Sequence, residues 1–271
     1  MSWWQSLLLG LIQGLTEFLP VSSSGHLVLG QYILGLEAGG NGVLFEVLVH
    51  FGTVLSIVYV YRQRLGLLIR DVVVHAVRPA TWTASYAGQP QFRMAVHILL
   101  TMIPTGMVYV LLGDRIEAAF GSPRLASGML LVTGALLLLT MWSNKGTRRV
   151  GPGSSLLIGL AQAAAMIPGI SRSGATICTA MYQQINPEEA ADFSFLMLLP
   201  VVIGATLLKL GAAVSAVNGA AWGVMVPGVL AAFLSGIVAI KLVLTFVKRG
   251  QFHFFAAYCF LVGILGLVLV G

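Results

Sequence analysis

Two short segments of this chain gather the side chains that carry out phosphoryl and acid–base chemistry. Glu17, Ser22, Ser23, Ser24 and His26 fall within ten residues around a turn at Pro20. Ser171, Arg172, Ser173, Gly174 and Thr176 follow a second turn at Pro168-Gly169. A carboxylate, a hydroxyl and an imidazole together are the parts of an activated nucleophile or of a metal site. A guanidinium is the planar partner of phosphate or carboxylate. Hydroxyls and the free N–H groups at a helix start would complete an oxyanion cradle around it. The plainer readings are an ion pair from Arg172 to Glu17 or Glu46, and a hydrogen bond from Glu17 to its own broken loop. No GxxxxGK phosphate loop occurs in the chain.

Both segments are embedded in apolar sequence. Of 271 residues, 58% are hydrophobic and 9% charged, against about 25% charged in an ordinary soluble domain. Mean hydropathy is +0.93. So few charges cannot cover a soluble surface, and the composition predicts a polytopic membrane protein. The net charge of +6 then reads as basic cytoplasmic loops, with no nucleic-acid partner. Cys178 and Cys259 stand alone in apolar surroundings, so neither a disulfide nor a zinc site is expected. The N-terminal stretch lacks a basic lead and carries Gln13 and Glu17, which marks it as part of the mature fold.

Six apolar stretches, residues 43–61, 95–112, 125–142, 190–210, 224–247 and 252–270, are long enough to cross about 30 Å of hydrocarbon. Four others come as two short pairs, split at residues 20–25 and 168–174. Proline and glycine end a helix and serine caps the next. Irregular backbone at membrane depth must be buried in protein or line a wet cavity. The expected fold is therefore an all-α polytopic membrane protein, with six transmembrane helices plus two re-entrant helix–loop–helix hairpins. Three loops are basic: Arg62, Arg64, Arg70, Arg78 and Arg93; Lys145, Arg148 and Arg149; Lys248 and Arg249. If residues 155–182 crossed the membrane once, the last pair would lie opposite the others. Re-entry places all three on the cytoplasmic side. The first hairpin then enters from outside and the second from within. Residues 72–90 read mostly as cytoplasmic loop with room for a short interfacial helix.

An internal repeat runs at an offset of 149: Gln13 meets Gln162, and Ser22, Ser24 and Gly25 meet Ser171, Ser173 and Gly174. Residues 1–142 and 150–271 are accordingly expected to be inverted-topology halves of a single membrane domain. These features fit two function classes, an enzyme acting on a phosphorylated membrane lipid and a transporter with an anion site between repeats.

The segments Gln13-Gly-Leu-Thr-Glu-Phe-Leu-Pro-Val-Ser-Ser-Ser-Gly-His26 and Pro168-Gly-Ile-Ser-Arg-Ser-Gly-Ala-Thr176 resemble the two signatures of the bacterial undecaprenyl-diphosphate phosphatase family, of the bacitracin-resistance type. The resemblance extends to Phe45-Glu46, Ile103-Pro104 and residues 191–196. It implies hydrolysis of undecaprenyl diphosphate to the monophosphate, Mg²⁺ or Ca²⁺ as cofactor, and the bacterial plasma (inner) membrane as location. Partners are then a polyprenyl diphosphate lipid and membrane lipid, with a homodimer as the candidate assembly; by the charge count above, which opens the first hairpin outward, the active site is expected to open to the periplasmic face. Carried over by position, the motifs give Glu17, Ser23 and His26 as catalytic with Arg172. Ser24, Ser171, Arg172, Ser173, Gly174 and Thr176 become the phosphate-binding set. Glu17 and Gln13 are the candidate metal ligands. The family often has a glutamate where Gln13 stands, which weakens any mechanism needing two carboxylates in that hairpin.

The expected mechanism has Ser23 as nucleophile and His26, three residues on, as its base. Glu17 would orient that histidine or bind the metal. Attack by metal-bound water, with Ser23 as a ligand only, is the alternative. Glu46 is expected to support the site from behind, with His50 on the same helical face. His97 is read as packing, and His75 and His253 as interface residues. Transport of the lipid monophosphate stands as the rival function, and a lipid-binding or drug-sequestering protein as a third.

Overall fold

The computed structural model describes residues 1–35, 41–77, 79–143, 146–214 and 219–270, and among these it contains helices and no β-strand. Gly40, Arg78 and Lys145 lie outside the described residues. The first helix, α1 (Trp3–Phe18), starts from a capping box in which Ser2 and Gln5 exchange hydrogen bonds. It stops two residues before Pro20, as the steric demand of proline requires. Ser22 then caps α2 (Ser23–Ile33), its Oγ accepting from Gly25 N at 3.2 Å. The second hairpin repeats this plan: α8 (Pro152–Ala164) ends before Pro168, and Ser171 caps α9 (Arg172–Tyr182) through Gly174 N at 3.0 Å.

Between the hairpins run α3 (Asn41–Val60), α4 (Arg62–Ala76), α5 (Trp82–Gly88), α6 (Pro90–Ala119) and α7 (Pro123–Leu139). After them come α10 (Pro187–Val214), α11 (Gly219–Lys248) and α12 (Phe254–Val270). Pro90–Ala119, Pro123–Trp142 and Gly223–Lys248 are each long and apolar enough to cross a bilayer, and α12 is a shorter apolar helix of 17 residues. Their outward faces are apolar: Val110 on α6 is 83% exposed and Val268 on α12 is 74% exposed. In water such faces would drive aggregation; in lipid they are the solvent-facing surface. The chain is a multi-pass helical membrane protein.

The hairpins pack crosswise. α1 lies along α11, and α8 lies along α6. Two glycines at the repeat offset permit this close approach. A Cβ on Gly10 would fall 2.1 Å from the Gly228 carbonyl oxygen, and one on Gly159 would fall 2.6 Å from that of Thr101. The two turns also meet. Gly169, at φ +97°, presses against the Ala126 carbonyl and donates its N–H to Ser24 Oγ at 3.4 Å. Ser173 Oγ donates to the Leu19 carbonyl at 3.2 Å.

Residues 72–90 correct the sequence reading. The segment is helical over most of its length, with α4 continuing to Ala76 and α5 following a short 3₁₀ turn. α3 and α4 meet at 87° with neither proline nor glycine at the corner. The corner is fixed from a distance instead: Tyr61 Oη donates to Asp192 at 2.7 Å, and Arg64 pairs with the same carboxylate. α5 is held by His75 and His97, which meet Ser85 Oγ and Tyr86 Oη at 2.9 and 2.8 Å. Contacts also bring the basic loops to one end of the bundle. Lys248 reaches Glu188 at 3.2 Å, Arg148 bridges to Ile185, and Arg64 reaches Asp192.

Candidate active site

A cavity of about 300 Å³ opens where the two hairpin turns face α3, α6 and α10. Glu17 stands at its centre and is almost fully buried. Its Oε1 accepts from Arg172 Nη2 at 3.0 Å, and its Oε2 accepts from Ser23 Oγ at 2.6 Å and Gln13 Nε2 at 2.9 Å. One carboxylate thus joins the attacking-group candidate of the first hairpin to the guanidinium of the second. Arg172 Nη1 donates to the Ser194 carbonyl at 2.8 Å, and its buried Nε has no acceptor among the described residues. A buried N–H left unpaired costs about 1–3 kcal/mol, so a phosphoryl oxygen placed there would relieve an existing cost.

His26 is not where the expected mechanism needs it. Its Nδ1 donates to the Ser22 carbonyl at 2.8 Å, and its Nε2 meets Tyr258 Oη at 2.9 Å. The ring stacks on Tyr258 with planes 6° apart. Nδ1 is therefore taken at the start of its own helix and Nε2 by α12, and the ring does not line the cavity. Three-residue spacing puts Ser23 and His26 near one another on the helix, but the backbone carbonyl of Ser22 turns the imidazole away. His26 is tied instead to Ser22, a non-glycine residue at φ 68°. That conformation is costly for an L-residue and sets where Ser23 points.

Fewer of the expected phosphate-binding residues reach the cavity than the sequence suggested. Ser24, Ser171 and Arg172 line the cavity. Gly174 N–H is taken by Ser171 Oγ, and Ser173 is buried against Leu19. Thr176 Oγ1 donates to the Arg172 carbonyl at 2.8 Å and lies 2.6 Å from Ser194 Oγ. These three position Arg172 and the turn from behind. Glu46, expected behind the site, instead lines the cavity, with Gln31 Nε2 on its Oε1 at 2.9 Å.

His50, named in the sequence beside Glu46 without a role of its own, also reaches the cavity. Its Nδ1 donates to the Glu46 carbonyl at 2.7 Å, which turns Nε2 toward the cavity, 3.7 Å from Glu17 Oε2. The available signal was an intramembrane histidine one helical turn after a glutamate. Gln162, the repeat partner of Gln13, also lines the cavity and donates to Thr105 Oγ1 at 3.0 Å. The far wall is apolar, built from residues such as Ile116, Phe120, Leu198 and Val202.

The family model for bacitracin resistance protein BacA matches residues 6–265. The chain belongs to the BacA family. Among its relatives is an undecaprenyl-diphosphatase of Salinibacter ruber, 53% identical over 270 residues that cover all of both chains. An undecaprenyl-diphosphatase of Bacteroides fragilis is 38% identical, covering 99% of this chain and 98% of its own. One of Korarchaeum cryptofilum is 37% identical, covering 96% of each. Both hairpin turns therefore lie within the BacA match, and the cavity between them is the candidate active site.

No three His, Cys, Asp or Glu side chains converge into a ready-made metal cage among the described residues. A hard divalent cation carried on substrate phosphates needs only one or two carboxylates from the protein. Glu46 and Glu17 on the cavity wall fit that demand. Gln13 Oε1, buried and without a donor, is a neutral oxygen in the same hairpin.

Proposed function

We propose that this chain hydrolyses undecaprenyl diphosphate to undecaprenyl phosphate and inorganic phosphate, recycling the lipid carrier of cell-wall synthesis and conferring bacitracin resistance. The observation that carries the reading is the contact chain Ser23–Glu17–Arg172, which joins the two hairpins on the wall of one cavity. The chain's full-length match to relatives of that name supports the substrate.

The diphosphate lies against the hairpin turns, and the polyprenyl tail leaves along the apolar wall toward lipid. Arg172 takes the phosphoryl oxygens through its Nε–H and through its backbone N–H, the first of α9 and without an intrahelical acceptor. Glu17 accepts the Ser23 proton as Oγ attacks the terminal phosphorus. The bond to the bridging oxygen breaks, and undecaprenyl phosphate leaves. Water then cleaves the phosphoserine, releasing inorganic phosphate and restoring Ser23. His50, beside Glu17 Oε2, supports the carboxylate through this proton traffic. A Mg²⁺ or Ca²⁺ ion held by Glu46 and Glu17 would supply charge neutralisation on the diphosphate.

The fold that supports this chemistry is six membrane spans (α3, α6, α7, α10, α11, α12) and two re-entrant hairpins. In its favour, the hairpin helices have 16, 11, 13 and 11 residues, so each falls short of the roughly 30 Å hydrocarbon core. Residues 1–142 and 150–271 form inverted halves, and the exchange of α1 onto α11 and α8 onto α6 supports that pairing. The arginine-rich end faces the cytoplasm of a bacterial plasma membrane by the positive-inside rule, so the active cavity opens to the periplasm.

The deciding experiment follows phosphate release from farnesyl or undecaprenyl diphosphate by purified protein in detergent, with and without EDTA. Release that depends on Glu17 and Arg172 is expected. Proteoliposomes that move the lipid monophosphate while no phosphate is released would replace the enzyme with a transporter.

A further inference from the structure

A second cavity lies at the arginine-rich end of α6. It encloses about 270 Å³, the volume of roughly nine liquid waters. On α6 the nearest lining residues of the two cavities, His97 and Thr105, lie about 12 Å apart along the helix axis, and the cavities share no lining residue. The two cavities are therefore separate.

Three guanidiniums from three elements meet here: Arg64 of α4, Arg93 of α6 and Arg149 just before α8. Arg64 is committed to Asp192. Glu189 also lines the space, and its Oε1 accepts from Val150 N at 2.9 Å. Neither Arg93 nor Arg149 has an acidic partner within salt-bridge distance among the described residues. With Asp192 set against Arg64 and Glu189 against one other cation, one positive charge is left uncompensated. The first turns of α6 open on the same space, and no side chain caps that helix start, so its dipole adds to the positive potential. Gln91 Oε1, on the same turn, is buried with no donor among the described residues and offers an acceptor for a ligand hydroxyl.

We propose that this cavity binds a phosphoryl anion, in the form of the phosphodiester headgroup of an anionic phospholipid. A phosphodiester carries one negative charge, matching the single uncompensated cation, whereas a doubly charged phosphate monoester would exceed it. Met94, Val150 and Phe193 give the cavity an apolar side for the glycerol backbone. α4 places the site at headgroup depth: it leaves α3 at 87°, with Leu67 and Ile69 exposed beside Arg62 and Arg70, the pattern of a helix lying in the interface.

Native mass spectrometry of the detergent-purified full chain tests this, with phosphatidylglycerol, phosphatidylcholine and inorganic phosphate as separate probes. Wild type should retain phosphatidylglycerol in preference to phosphatidylcholine. The double variant Arg93→Gln/Arg149→Gln should lower the retained fraction by about tenfold, the worth of one charge-assisted hydrogen bond. Arg70→Gln, on the exposed face of α4, should leave retention unchanged. Inorganic phosphate that displaces the lipid from wild type, and stabilises wild type but not the double variant, would keep the phosphoryl site and name the free anion as its ligand. Equal retention of both lipids, or equal loss in Arg70→Gln and the double variant, overturns the proposal. If the double variant fails to give a cooperative melt, Arg93→Lys/Arg149→Lys takes its place. Weaker retention is then expected, because lysine lacks the planar fork, and unchanged retention overturns the proposal.

Discussion

The two hairpins share a frame and differ at the residues that reach the cavity. In each, a serine caps the second helix through the N–H three residues on, at 3.2 Å for Ser22 and 3.0 Å for Ser171. In each, that serine lies 3.2 Å from the serine two residues on, Ser24 or Ser173. Each of those serines then reaches the opposite hairpin, Ser24 to Gly169 N and Ser173 to the Leu19 carbonyl. Gln13 and Gln162 both keep a buried amide oxygen without a partner. Yet the residue framed by the serines is Ser23 in one hairpin and Arg172 in the other, and Glu17 corresponds to Met166. The backbone differs too: Ser22 sits at φ 68° and Ser171 at φ −72°. Two turns with the same serine frame thus present a hydroxyl in one hairpin and a guanidinium in the other, with one carboxylate joining them.

The comparison breaks most severely at the framed residues. Ser23→Ala should lower kcat by about 10³-fold or more, since no other hydroxyl donates to Glu17; steady-state phosphate release measures it. Arg172→Lys should cost about 10²–10³-fold in kcat/KM, because an ammonium cannot serve Ser194, Glu17 and a phosphoryl oxygen from one plane. His26→Ala should lose about 10²-fold in kcat by freeing the strained Ser22 turn, and His26→Asn, which can still donate to the Ser22 carbonyl, should recover most of it. A base role for His26 predicts no recovery with asparagine. At the small end, Ser173→Ala should cost about 1 kcal/mol of stability, read from a melting curve, with kcat changed little.

The hairpins were legible in the sequence because proline, glycine and serine mark backbone breaks without help from the rest of the fold. The choice of partners for Arg172 was legible as well, since a buried cation must meet an anion. The 87° corner after α3 was not, because its anchors on Asp192 lie more than a hundred residues away and no local residue marks the bend. The direction of His26 was hidden as well. Helical spacing says which residues are neighbours, but a rotamer drawn to a backbone carbonyl decides what the ring touches. His50 carried a signal in its charge type and depth, and only the crossing of α3 past the first hairpin sets it beside Glu17.

The stereochemical course at phosphorus tests the central claim that Ser23 attacks and water follows. Purified protein would turn over a polyprenyl diphosphate made chiral at its terminal phosphorus by isotopic and thio substitution, and the configuration of the released thiophosphate would be read. Two successive in-line displacements predict net retention. Net inversion would mean a single attack by water, and would reduce Ser23 to a residue that orients the substrate.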